Sequence, residues 1–232
     1  MVTAVRSLGL QGISGYEVTV ECFLSGGLPA FDIVGLGDTA VKESRERVRA
    51  AVKNCGVKFP VSRITVNLAP AGRKKEGTLY DLPILLGILA SAEEIKPPAK
   101  DAAFVGELSL TGTLRAVNGV LPMVIEGRSR GYTAFLVPAG NGEEAACVEG
   151  VRILPVRSLQ EAVDYLCGAA EIQPLPMTRF DREELVYSSD FADIRGQAAA
   201  KRAAEIAVAG GHNLLLCGTP GSGKTMLARA IP

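Results

Sequence analysis

The chain contains no tryptophan, only one histidine (His212), and no two cysteines at C-x-x-C spacing. A structural zinc site needs four Cys or His ligands at short spacings, so zinc-finger chemistry is excluded. The five cysteines, Cys22, Cys55, Cys147, Cys167 and Cys217, are odd in number and scattered. They read as reduced thiols of a cytoplasmic protein rather than a disulfide framework. A charge excess is lacking as well: 25 Lys+Arg stand against 25 Asp+Glu. No bulk field therefore draws the chain to nucleic acid, and only a local basic patch remains open. Long apolar runs are missing too. The longest, "LPILLGILA", falls far short of the ~20 residues that span a bilayer. The opening "MVTAVRSLGLQGISGYEV" has no basic stretch ahead of an apolar one, so no signal peptide is expected. Together these absences predict a soluble, cytoplasmic protein with no membrane partner.

What is present suits one large domain or two small ones, since 232 residues that are 47% hydrophobic can bury a core. "TAVRSLGL", "YEVTVECFLS" and "AFDIVGL" are rich in β-branched and aromatic residues between Gly, Ser and Pro, and read as strands of a meander. "DTAVKESRERVRAAVKNCG" changes period: Val41, Val48 and Val52 recur at helical spacing, with Asp38 as N-cap and Gly56 as C-terminal stop. Its charges, Lys42, Glu43, Arg45, Glu46, Arg47 and Arg49, alternate in sign. A solvated helix face explains them, with a nucleic-acid face as the alternative. "SRITVNLAP" is a strand, followed by the basic turn Arg73, Lys74, Lys75. That turn is either solvated or a contact for phosphates. "YDLPILLGILASAEE" is an almost wholly apolar helix expected at the domain centre, with Asp81 as cap and Pro83 in its first turn. "AFVGELSL", "TAFLVP" and "VRILPV" are predicted strands, and "LPMVIEGRSRG", "NGEEAACV" and the Ser-capped "SLQEAVDYLCG" predicted helices. Strands first and alternating helices later suggest an α+β domain over residues 1–170.

Residues 171–188 hold prolines and charges with little periodicity and read as a linker. A second domain is expected over 189–232: the helix "GQAAAKRAAEIAVAGG", the strand "HNLLLCG", then "GTPGSGKT". The pattern G-x-x-x-x-G-K-[ST] is met by Gly218, Gly223, Lys224 and Thr225. A chance match in a chain this long is roughly a one-in-a-hundred event at average glycine usage. Gly218, Gly221 and Gly223 let backbone N–H groups turn toward phosphate oxygens. Lys224 neutralises β/γ-phosphate charge, and the Thr225 hydroxyl is offered to Mg²⁺. The predicted nucleotide-binding set is Gly218, Thr219, Pro220, Gly221, Ser222, Gly223, Lys224, Thr225 and Met226. Hydrolysis also needs an acidic residue to organise Mg²⁺ and water, and the sequence stops at Pro232 before one follows. The reading is a truncated chain or an incomplete reading frame, with "NLLLC" a strand lacking sheet partners. His212 has no partner of its own type and is expected to be structural.

"DFADIRGQAAAKRAAEIAVAGGHNLLLCGTPGSGKTMLARAIP" resembles the start of the AAA+ module of the magnesium-chelatase-like ATPases, including their Walker A loop. In that family the D-I-x-G-Q segment lies beside adenine, which implies roles for Ile194 and Gly196. "FDIVGLGDTAVKESRERVRAA", "ITVNLAPAGRKKEGTLYDLPILLGIL" and "FVGELSLTGTLRAVNGVLP" resemble the amino-terminal domain of the ComM/YifB branch of the family. The resemblance implies an α+β Lon-protease-like fold (ribosomal S5 domain 2-like), then the first elements of an α/β P-loop AAA+ domain. It implies ATP and Mg²⁺ as cofactors, a homo-hexamer for the full-length protein, and branched or single-stranded DNA as partner in recombination during natural transformation. Lon-type enzymes use a serine and a lysine. Matching Lys75, Glu76 and Gly77 to their K-D-G motif puts Leu79 at the nucleophile, and matching "GELSLTGTL" puts Leu121 at the lysine. Leucine can neither attack a carbonyl nor carry a proton, so both halves of the dyad are lost and no catalytic residue is assigned. Thr78, Lys74 and Lys75 lie close in sequence, but an activated hydroxyl needs a base within hydrogen-bond reach. A chelatase-type or protein-remodelling motor and a plain oligomerisation or adaptor module are the alternatives to a DNA motor.

Overall fold

The computed structural model describes residues 2–178 and 189–231. The chain divides into two compact units, Met1–Arg179 and Phe180–Pro232.

The first unit is built on one seven-stranded sheet. β1 (Val2–Gln11) and β2 (Ser14–Ser25) form an antiparallel hairpin with Gln11 opposite Ser14. Gly12, at φ +61°, leads its two-residue turn, a conformation that glycine adopts at little cost. The expected meander ends there. β3 (Ala30–Val34) pairs not with β2 but in parallel with β4 (Arg63–Ala69), which inserts between them. The reason is α1 (Thr39–Cys55): a helix between two strands carries the chain back to start a parallel neighbour.

After β4 come α2 (Asp81–Ser91), β5 (Ala102–Phe104), β6 (Glu107–Leu108) and β7 (Leu114–Arg115). α3 (Val120–Ser129), β8 (Ala134–Pro138), α4 (Gly142–Ala145), β9 (Arg152–Val156) and α5 (Leu159–Cys167) complete the unit. The strand order is β3-β4-β2-β1-β5-β8-β9, and β6 and β7 form a separate ribbon. Four of the six neighbouring pairs in the large sheet are parallel. The architecture is thus a mixed α/β one with a parallel-dominated sheet. The segment "AFVGELSL" is also two strands, not one. The chain passes tightly at Gly106, where a Cβ would lie 2.7 Å from Leu114.

α2 is the buried centre that its composition predicts, with every residue from Asp81 to Ala90 buried. Gly87 lets it approach β2, because a Cβ there would sit 2.5 Å from Cys22 Sγ. Burial pushes the Cys22 thiol up to about 12. Asp81, however, is not the cap. Tyr80 is the N-cap residue, and Asp81 is the first helical residue with its side chain fully buried. Its carboxylate accepts from Arg47 Nε at 2.7 Å, Arg47 Nη2 at 3.0 Å and the Leu108 amide at 3.1 Å, and also from the Ser44 hydroxyl. Arg47 is therefore no part of a solvated face; it reaches inward to join α1 to α2. Asp38 and Gly56 bound α1 as predicted, Asp38 Oδ1 accepting from the Val41 amide at 2.8 Å and Gly56 at φ +70°. Ser158 caps α5 through the Glu161 amide.

Part of the segment expected as linker is fastened to this unit. The Leu175 amide donates to Ile153 O at 2.9 Å, and the Thr178 amide to Ala146 O at 3.0 Å. Residues 179–188 lie outside the described residues. Among those described, no helix is long and apolar enough to cross a membrane.

The second unit holds a 3₁₀ turn at Phe191–Asp193, α6 (Ala198–Gly210) and α7 (Lys224–Arg229). The strand expected at "HNLLLCG" does not form. Residues 212–219 carry no strand pairing, and Leu215 is 86% exposed. A strand is held by its neighbours, and the described residues of this unit offer none.

Candidate phosphate-binding site

The loop from Gly218 to Gly223 joins the extended 212–219 segment to α7. Gly221 at φ +81° and Gly223 at φ +88° take left-handed conformations that a side chain would strain. Gly223 is the N-cap of α7, and buried Leu227, whose amide donates to Gly223 O at 3.0 Å, anchors the helix. Lys224 opens α7, and its ammonium folds back over the loop. It donates to Thr219 O at 2.7 Å, Gly218 O at 2.9 Å and Ser222 Oγ at 3.3 Å. A cation is thus held by neutral acceptors, with no carboxylate among its partners.

On the other side, Ile194 ends the 3₁₀ turn and is buried. Its carbonyl accepts from the Lys201 ammonium. Gly196, at φ +70°, and Gln197, at φ +53°, turn the chain into α6. The Gln197 side chain donates to Ser222 O at 3.4 Å. A cavity of about 210 Å³ lies between, with Ile194, Gln197 and Ala200 facing Gly218, Thr219 and Lys224.

Of the sequence-predicted residues, Ile194, Gly218, Thr219, Ser222, Gly223 and Lys224 line this cavity, whereas Gly196, Pro220, Gly221, Thr225 and Met226 do not. Thr225 and Met226 are exposed in the first turn of α7. Gln197 and Ala200 were not anticipated, although Gln197 directly follows the singled-out Gly196. A lysine ammonium and two left-handed glycines in one loop fit a phosphate group.

The first unit keeps a cleft of about 410 Å³ where the Lon-type nucleophile would lie, lined by Leu79, Thr78, Glu107 and Asn118 among others. Leu79 is buried, and Leu121 packs partly buried against the core outside the cleft lining. The structure does supply a partner for Thr78, whose hydroxyl bonds the Glu107 carboxylate. Glu107 in turn accepts from Arg115 at 3.3 Å. Neither nearby lysine bonds Thr78. Lys74 pairs with Glu76 at 2.7 Å. The Lys75 ammonium is buried and donates to Arg73 O at 2.9 Å and to Pro70 O; burial pushes it below the ordinary lysine range. Arg73 lies 5.1 Å over the Tyr16 ring. The basic turn is therefore not three solvated cations: one is internal, one paired and one stacked. Among the described residues no group of three or more His, Cys, Asp or Glu side chains is placed to hold a metal.

A glycine loop folded around a lysine, with an apolar wall opposite, defines a candidate P-loop site. Two family models match the chain: "Subunit ChlI of Mg-chelatase" over residues 20–141, and "Magnesium chelatase, subunit ChlI" over residues 190–232. The chain belongs to this magnesium-chelatase-like family, in its ComM/YifB group. It is 43% identical over 233 residues to competence protein ComM of Haemophilus influenzae, covering 98% of this chain and 45% of that protein. It is 41% identical over 228 residues to an uncharacterized protein of Mycobacterium tuberculosis, covering 97% and 45%. To the uncharacterized protein YifB of Escherichia coli it is 40% identical over 232 residues, covering 99% and 45%. The chain thus spans under half the length of these curated relatives. Similarity to Lon protease 2 of Bacillus subtilis is weaker, 27% over 126 residues, or 54% of this chain and 22% of that protein.

Proposed function

We propose that this chain carries the nucleotide-binding opening of an AAA+ motor ATPase of the ComM type, with ATP and Mg²⁺ as its ligands. The observation that supports this reading best is Lys224, whose ammonium rests on Gly218 O, Thr219 O and Ser222 Oγ at the cavity with no carboxylate partner among the described residues. Exchanging those neutral acceptors for phosphate oxygens adds the attraction of opposite charges to each bond. In this reading Lys224 holds the β/γ-phosphates, Thr225 turns its hydroxyl to Mg²⁺, and Ile194 forms an apolar wall for the base with Gly196 shaping the turn. No acidic side chain lines the cavity among the described residues. Hydrolysis is therefore proposed for the whole protein and not for this chain alone.

The first unit is proposed to be a Lon-like domain without peptidase activity, residues 1–170, kept for assembly or loading. Residues 171–188 are proposed as the linker and 189–232 as the start of the AAA+ domain. The whole protein is proposed to be a cytoplasmic homo-hexamer acting on branched or single-stranded DNA in recombination. The DNA part rests on the name of the ComM relative. Binding of a fluorescent ATP analogue to this chain should fall about tenfold or more in Lys224→Ala, the loss of one charge-assisted contact; equal binding by the variant refutes the site. The ATPase rate of the full-length protein, with and without a four-way DNA junction, tests the rest. Stimulation supports the DNA motor, and a rate indifferent to DNA favours a chelatase-type or protein-remodelling motor.

A further inference from the structure

A groove beside β3 carries charge that the proposed nucleotide site does not use. β3 is an outer strand of the large sheet, paired among the described residues to β4 alone. In a parallel ladder, successive residues turn their N–H and C=O alternately toward the neighbour and away from it. The Phe31 carbonyl faces away, since it accepts a 3.4 Å hydrogen bond from Arg45 Nη1. Ile33, two residues on, faces the same way. The strand "AFDIV" has no proline, and its register with β4 runs unbroken from Ala30 to Val34, so no bulge turns the edge aside. Its guard is the exposed, movable side chain of Arg45.

Cations flank this edge on both faces. Lys42 and Arg45 come from α1. Arg63 comes from the start of β4, on the face opposite buried Ile64 and Val66. All three line a cavity of about 420 Å³ with Asp32, Ile33 and Val34. Neither Lys42 nor Arg45 is ion-paired among the described residues. Arg63 has only Asp32, at 3.5 Å with both side chains about half exposed. Three cations against one carboxylate leave the groove with surplus positive charge.

We propose that the β3 edge binds an extended acidic peptide segment as an added strand. Such a strand presents alternate side chains to opposite faces, so acidic residues at every second position meet Lys42 and Arg45. Its backbone pairs with the outward-facing groups of Phe31 and Ile33, displacing Arg45 from the Phe31 carbonyl. A phosphate backbone matches the charge but has no row of amides to use that edge, which is why a peptide fits better.

The test is fluorescence anisotropy of a labelled peptide of alternating glutamate and threonine, about eight residues long to match one strand, against the 232-residue chain at low salt. The peptide is expected to bind. Of the two forms of this peptide N-methylated at alternate residues, the one whose edge-facing amides are methylated is expected to bind about tenfold or more weakly, and the other about as well as the unmodified peptide. The exposed charge reversal Lys42→Glu should weaken the unmodified peptide by about fivefold or more, with circular dichroism unchanged. Undiminished binding of both N-methylated peptides overturns strand addition. So does failure of the unmodified peptide to bind. Tighter binding of a single-stranded oligonucleotide, lost in the same variant, assigns the groove to nucleic acid instead.

Discussion

Replacing Arg47 by alanine removes the sole guanidinium from a carboxylate with no exposure to water. Asp81 then keeps the Ser44 hydroxyl and the Leu108 amide but loses both bonds of the bidentate pair, at 2.7 and 3.0 Å. Breaking a buried pair from one side costs about 3–5 kcal/mol, because the remaining charge is left uncompensated. In a unit of this size each kcal/mol lowers the melting temperature by about 2–4 °C, so a drop of roughly 6–20 °C is expected. Double replacement by Arg47→Met and Asp81→Leu should recover most of the loss, since an apolar pair of similar volume leaves nothing unpaired. Tyrosine fluorescence in urea is a suitable assay: the chain has no tryptophan, and Tyr80 sits next to the site. The pH dependence has a definite sign. Burial pushes the Asp81 carboxyl above its usual range, against the pull of Arg47, Ser44 and the Leu108 amide. Removing Arg47 removes part of that pull and raises it further. A carboxyl that binds its proton more tightly folded than unfolded adds stability as pH falls through the folded value and loses it as pH rises. The deficit of Arg47→Ala should therefore shrink as pH is lowered from 7 toward the raised folded value of Asp81. A loss below about 1 kcal/mol, or one that does not shrink in acid, would refute the reasoning.

Two further outcomes are expected. Asp38 accepts from the Val41 amide at 2.8 Å and, with its other oxygen, from the Gly77 amide at 3.0 Å, so it caps α1 and ties down the 75–77 loop together. Asp38→Ala should cost about 2–3 kcal/mol in urea unfolding, the sum of a cap and a second hydrogen bond, while Asp38→Asn, with one acceptor oxygen, should cost about half as much; equal losses would show that only one bond matters. Thiol labelling of the native chain should modify exposed Cys167 and Cys217 first and leave Cys22 untouched until the first unit unfolds. Mass spectrometry locates the label, and early modification of Cys22 would contradict both its burial and its raised pKa.

The parts legible in the sequence are those where local chemistry decides the outcome. Asp38, Gly56 and Ser158 each satisfy or end a helix through atoms within a few residues, so a single chain suffices to read them. The apolar composition of α2 likewise admits only a central position. The strand order was not legible, because period-2 alternation says which face is buried but not which neighbour is paired. Only the placement of α1 between β3 and β4 turns a meander into a parallel unit. The charged residues were misread for a related reason. Arg47 and Lys75 are indistinguishable in sequence from Arg49 and Lys74, yet one reaches a carboxylate 34 residues away and the other points its ammonium into its own turn. At the P-loop the motif identifies the lysine, but what faces it, Ile194, Gln197 and Ala200, comes from the turn leading into α6 and the first turn of that helix. The same distinction separates the two surfaces proposed to bind. The cations of the basic turn are consumed by Glu76, Tyr16 and backbone carbonyls, whereas Lys42 and Arg45 have no carboxylate partner among the described residues and stand beside an unpaired strand edge. Surplus charge is a property of the fold, counted only after each cation has met its partner.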